Sequence, residues 1–146
     1  FDLNEAVSRR VLSLALETLD QLFRQGERGI GILLAAIVPT VRNLLLVKDL
    51  LVRHKLPPPS QPQFFAGALK RLPTEASSHL PRKKDGTISA YSLGIAAINA
   101  AHYSLAELED GFAACAAANQ QLLSGSLTDE IVLARLLIQL LSRKTS

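Results

Sequence analysis

The sequence predicts an all-α fold: a bundle of about five main helices with an irregular, proline-rich middle segment. Three observations carry this. Leucine and alanine supply most of an apolar fraction of 48%, and both favour helix over strand. Apolar residues recur at three- and four-residue spacing in one segment after another. No segment alternates apolar and polar residues long enough to argue for a sheet. The 146 residues suffice for a single helical domain with a sizeable core.

Taken in order, Asp2 is an N-cap with Glu5 at the capping-box position, opening a short helix from Leu3 to Ser8. Val11, Leu12, Ala15, Leu16, Leu19, Leu22 and Phe23 trace a helical stripe that stops at Gly26, and residues 26–31 read as a turn. A second long helix runs from about Ile30 to His54. Pro39 lies inside it and should kink it or start a new segment, because proline lacks the N–H and clashes with the preceding turn. Pro57-Pro58-Pro59 forces an extended stretch. A short helix from Phe64 to Leu72, anchored by Phe65, Leu69 and Leu72, precedes a loop marked by Pro73, Pro81 and Lys83-Lys84-Asp85-Gly86-Thr87. Ser89 to Ala101 is the next helix, with Leu93, Ala97 and Ile98 on one side. Ser104 caps the one after it, with Glu107 at the box position, and that helix ends near Ser124-Gly125. Thr128 or Asp129 caps the last helix, which runs to about Ser142.

That last helix is apolar around much of its circumference: Ile131, Leu133, Leu136, Leu137, Ile138, Leu140 and Leu141. Such a helix is either central in the core or covered by a partner.

Little here could do chemistry. There is no Gly-x-x-x-x-Gly-Lys-Ser/Thr loop, and Gly26, Gly29 and Gly31 sit between helices rather than after a strand. His54, His79 and His102 lie in separate segments with no partner four residues on, which argues against a metal site. The single cysteine, Cys115, sits among alanines and reads as a small buried hydrophobe. One cysteine forms no disulfide within the chain and points to a reducing compartment. A net charge of +3 is too small an excess to imply nucleic acid by itself. The one basic run, Arg82-Lys83-Lys84, reads as an exposed loop, and with Lys70 and Arg71 it supplies the candidates for phosphate contact. No uninterrupted apolar run approaches the roughly 18 residues of a membrane span, so no membrane partner is expected. The chain opens on Phe-Asp-Leu without an initiator Met or a signal-peptide pattern, as a fragment of a longer protein would.

Three stretches resemble a known family. The first is Phe1-Asp2-Leu3-Asn4-Glu5-Ala6-Val7, continued by residues 15–23 and Gln25-Gly26-Glu27. The second is the leucine-rich run from Leu33 to Leu51 around Arg42, with Leu45, Val47 and Lys48. The third runs from Leu105 and Leu108 through Gln120-Gln121-Leu122-Leu123-Ser124-Gly125-Ser126-Leu127 to residues 132–137. In order and spacing they resemble the C-terminal helical domain of the delta subunit of bacterial DNA polymerase III, the clamp-loader subunit that opens the sliding clamp. The likeness covers most of the chain. It departs at Asn119, Leu123 and Ala134, where the family often has an aspartate, a lysine and a glutamate. If that lysine and glutamate pair across two helices, replacing both with apolar residues leaves no orphan charge, and drier packing is expected there.

The resemblance implies a collar-like helical domain that assembles with the other clamp-loader subunits (delta-prime and gamma/tau) in sliding-clamp loading during DNA replication. It implies no catalysis and no cofactor in this fragment, although the parent holoenzyme would be a DNA-directed DNA polymerase. The sliding clamp would be bound by an N-terminal region missing here, DNA would be engaged only indirectly, and the location would be cytoplasmic, at the replisome. Arg42, Lys48, Leu133, Leu137 and Leu140 are the candidate subunit-interface residues. The alternative is a helical nucleic-acid-binding module using the basic residues between 70 and 84.

Overall fold

The computed structural model describes residues 2–143. Phe1, the first residue of the family-like opening stretch, lies outside them. Seven helices and no strands are present among the described residues. They are α1 (Leu3–Ser8), α2 (Leu12–Arg24), α3 (Gly29–Arg53), α4 (Phe64–Lys70), α5 (Ala90–Asn99), α6 (Leu105–Ser124) and α7 (Asp129–Leu141). The chain sorts into two compact units rather than a single body. One comprises Phe1–Arg42 with Ala106–Ser146, the other Asn43–Leu105.

In the first unit, α1 starts where the sequence expects. The Asp2 carboxylate accepts from the Glu5 N–H at 2.9 Å. Its end is less conventional. Val11 N–H reaches back to Ala6 O (3.0 Å) and Arg10 N–H to Val7 O (3.1 Å), with Arg10 at φ +58°. This six-to-one closure needs a left-handed residue, a place where glycine is the usual occupant. The turn after α2 closes the same way with Gly26, at φ +87°. Helix α3 then begins at Gly29, one residue before the expected start at about Ile30. The Asp129 carboxylate makes that start: it accepts from Gly29 N–H at 3.2 Å, from a residue remote in sequence.

Pro39 does not break α3. The helix widens into a π turn over Leu33–Ile37, in which Val38 N–H bonds to Leu33 O, and then continues as α-helix from Val38. The wider turn accommodates a ring that would otherwise clash with the carbonyl four residues back. Thr40 follows by donating its hydroxyl to Ala36 O at 2.7 Å. Because the helix runs on through Pro39 and Arg42, Gly29–Arg53 is long and apolar enough to cross a membrane, with a mean hydropathy of 2.1 over its best window. The expectation that no segment approaches the length of a membrane span does not hold for this helix. A core helix passes the same test; here 39% of that window is buried, Ile32, Leu33, Ile37 and Val41 among it.

Helix α7 is central to the first unit. Val132, Leu133, Leu136, Leu137, Leu140 and Leu141 are all buried, which settles the choice between core and partner for most of its circumference. It packs against α2 and the start of α3, and Leu140 lies where a side chain at Gly111 of α6 would otherwise project. Thr128 is its cap, accepting from Ile131 N–H at 3.4 Å.

The second unit is built on the C-terminal part of α3, whose Leu44, Val47, Leu50 and Leu51 are buried. Helix α3 ends by the same six-to-one closure, Leu56 N–H to Leu51 O at 2.9 Å, with Lys55 at φ +53°. Helices α4 and α5 pack together, and Phe65, Leu93, Ala97 and Ala100 are buried. Leu69, Leu72 and Ile98, expected as anchors, are half-buried. Gly94 lies against the backbone carbonyl of Pro62 so closely that no Cβ fits there. Short 3₁₀ turns over Thr74–Ser77 and Ala100–His102 complete the unit.

Candidate functional site

The cysteine and the three histidines lie in separate segments. Cys115 is buried, and burial pushes its thiol up to about 11, away from a reactive thiolate. His54 follows the end of α3 directly, while His79 and His102 are exposed in other segments. No group of three metal-ligating side chains assembles among the described residues.

The most organised polar cluster is centred on Arg10, whose side chain is only 4% exposed. Its guanidinium grips the Glu107 carboxylate with two bonds, Nη2–Oε2 at 2.6 Å and Nη1–Oε1 at 3.1 Å. It also donates to the carbonyls of Leu141 (3.3 Å) and Ser142 (3.0 Å) at the end of α7. Those carbonyls have no helical partner and carry the negative end of the helix dipole, so a buried cation is well placed there. Arg10 thereby ties the first interhelical turn, the first turn of α6 and the last turn of α7 together. The sequence reading gave Glu107 a capping-box role and passed over Arg10. No local pattern joins residues 97 apart. This cluster is structural: its donors and acceptors are turned on one another.

The expected interface residues divide. Arg42 is exposed on α3, and Lys48 is half-buried beside a hollow of about 280 Å³. Leu133, Leu137 and Leu140 are buried in this chain's own core and offer nothing to a partner. Their seven-residue repeat is the inward stripe of α7. The outward stripe is Ile131, Arg135 and Ile138, with the two isoleucines 46% and 45% exposed. Helix α6 behaves likewise. Leu108, Gly111, Cys115 and Ala118 are buried, while Phe112, Ala113, Ala116, Ala117 and Leu123 face out. Leu123 is 69% exposed, so the drier packing expected at that position is not found: the leucine faces solvent.

The candidate phosphate-contact residues Lys70, Arg71, Arg82, Lys83 and Lys84 are all exposed. The last three belong to a tight turn, closed by an isolated bridge between Arg82 and Ile88 and by Gly86 at φ +85°. Asp85 organises it, accepting from the Thr87 hydroxyl at 2.6 Å and the Thr87 N–H at 3.0 Å. Those two bonds, the hydroxyl's first, hold its carboxyl below the usual value.

Charge is unevenly divided. The unit Asn43–Leu105 holds eight of the sixteen lysines and arginines but only three of the thirteen acids (Asp49, Glu75 and Asp85), a net +5. The other unit holds eight and ten, a net −2, and the two sum to the +3 of the chain. Compared with protein-family models, curated proteins and solved structures, the chain matches none.

Proposed function

We propose that this chain is a non-catalytic assembly module, of the kind that the collar domain of the clamp-loader delta subunit represents, joining its neighbours through helix faces. The observation that carries the reading is the outward face of the last two helices. With the inward stripes of α6 and α7 already buried, Phe112, Leu123, Ile131 and Ile138 remain exposed on the same pair of elements. Large apolar side chains repeated on outward helix faces mark surfaces that bury on association. The test is to mix the chain with delta-prime and gamma/tau subunits and measure complex size by light scattering. A complex that forms with the unaltered chain and is lost with Phe112→Asp or Ile138→Asp supports the reading. The absence of any complex, or one indifferent to both changes, refutes it.

A second reading, contact with nucleic acid phosphates through Lys70, Arg71, Arg82, Lys83 and Lys84, draws support from the +5 charge of their unit. It predicts DNA binding that weakens steeply with salt and is lost when the Arg82-Lys83-Lys84 run is replaced by alanines.

A further inference from the structure

The second unit holds a feature that neither reading uses. Between the Pro57-Pro58-Pro59 segment and α4 lies a hollow of about 290 Å³. Its walls include Leu51, Leu56, Pro58, Phe64 and Ala68, and the one charged residue lining it is Arg71. Phe64 stands 54% exposed at its edge while its neighbour Phe65 is fully buried. The three prolines lack N–H donors, and a proline-rich segment is stiff before any ligand arrives. A preformed apolar concavity with a single cation beside it is the usual form of a selective ligand site.

Charge says what it would take. Arg71 lacks a carboxylate partner among the described residues, and so does its neighbour Lys70. The neighbouring hollow of about 280 Å³, which shares Leu51, Leu56 and Pro58, is likewise lined by one cation, Lys48. With three acids against eight cations, this unit cannot neutralise itself. We propose that the groove between Pro57–Pro59 and α4 binds an acidic peptide, seating one apolar side chain in the hollow and setting a flanking carboxylate on Arg71. A nucleic acid fits the hollow less well. Arg71 is the one cation lining it, whereas a strand-binding groove needs a row of cations along a backbone. A groove of this volume holds about one large side chain or two small ones.

This inference does not rest on the assembly reading: it concerns the other unit and stands or falls separately from the light-scattering test. The experiment uses the whole chain and a fluorescein-labelled hexapeptide, Asp-Asp-Glu-Leu-Phe-Asp, followed by fluorescence anisotropy. The expected result is saturable binding that weakens at least tenfold in Arg71→Glu and in Ala68→Trp, which fills the hollow. Helical circular dichroism should be unchanged in both. Should Ala68→Trp fail to fold, Phe64→Ala removes one wall at an exposed position and decides the point. A control peptide with lysine in place of each acid should not bind. No binding of the acidic peptide, or equal binding to the variants, overturns the proposal. So does displacement of the peptide by a single-stranded oligonucleotide that itself binds regardless of Ala68→Trp, since that would make the cations a nucleic-acid surface.

Discussion

Arg10 should be worth more to this protein than any other cation, and for two separable reasons. Its side chain donates two hydrogen bonds to the Glu107 carboxylate and one each to the carbonyls of Leu141 and Ser142. Its backbone holds the left-handed conformation that closes α1. Bonds to charged groups contribute about 1.5–3 kcal/mol each, but Arg10→Ala allows Glu107 to recover water, so the net loss is about 2–3 kcal/mol. The recovery is reasonable because the Glu107 side chain is already 26% exposed. Glu107→Ala should cost more, about 3–5 kcal/mol, because it takes the carboxylate away from a buried guanidinium. Arg10→Gly loses the same bonds as Arg10→Ala but removes the left-handed Cβ clash, so it should be about 1 kcal/mol milder. Urea denaturation of the whole chain, followed by circular dichroism at helical wavelengths, reads all three. The reasoning fails if Arg10→Ala falls within about 0.5 kcal/mol of the parent, the usual range for surface changes. It fails separately if Arg10→Gly is as damaging as Arg10→Ala, since the backbone would then contribute nothing.

Other changes separate close approach from open space. Gly94→Ala should destabilise by about 1–3 kcal/mol or more, because the added Cβ meets the rigid Pro62 carbonyl, whereas Gly67→Ala, in open space within α4, should stabilise by up to about 1 kcal/mol. Thermal melts of the two variants should therefore shift in opposite directions. Gly29→Ala places a Cβ 2.7 Å from an Asp129 oxygen and should lower stability by about 1–2 kcal/mol, with Asp129→Ala adding less in that background than alone. Cys115, with its thiol raised to about 11, should resist a thiol reagent at pH 8 in the folded chain and react fully in denaturant. Asp85 has a folded value below its ordinary 3.8, so its contribution to the 82–88 turn is present above that value and lost as pH falls through the lower folded one. The protection of the Thr87 amide, its exchange rate referred to the intrinsic rate at each pH, should be lost only in that range, and Asp85→Asn should flatten the dependence.

Helix identity and order were legible from the sequence because they depend on short-range physics. The stripe in α2, the Asp2 and Thr128 caps and the stop at Gly26 need only residues within a turn or two of each other. Pro39 shows where local reasoning runs out. The clash it anticipates is real, yet a π turn absorbs it within a helix held by its burial on either side. The start of α3, expected at about Ile30, falls at Gly29, but the group that holds it is not legible locally, since its N-terminal donor is met by Asp129 from the far end of the chain.

The candidate surfaces divide in the same way. Composition and periodicity alone indicated that this chain packs helices, that its cysteine is a small buried hydrophobe and that Arg82-Lys83-Lys84 forms a basic run. Only the tertiary structure decided which side of α7 is core, because an apolar residue looks the same in sequence whether it faces in or out. It assigned Leu133, Leu137 and Leu140 to the interior and left Ile131 and Ile138 outside. It alone paired Arg10 with Glu107 and brought Arg71 beside the proline-walled hollow. Such pairings join residues far apart along the chain, and the geometry that selects them exists only once the helices have packed.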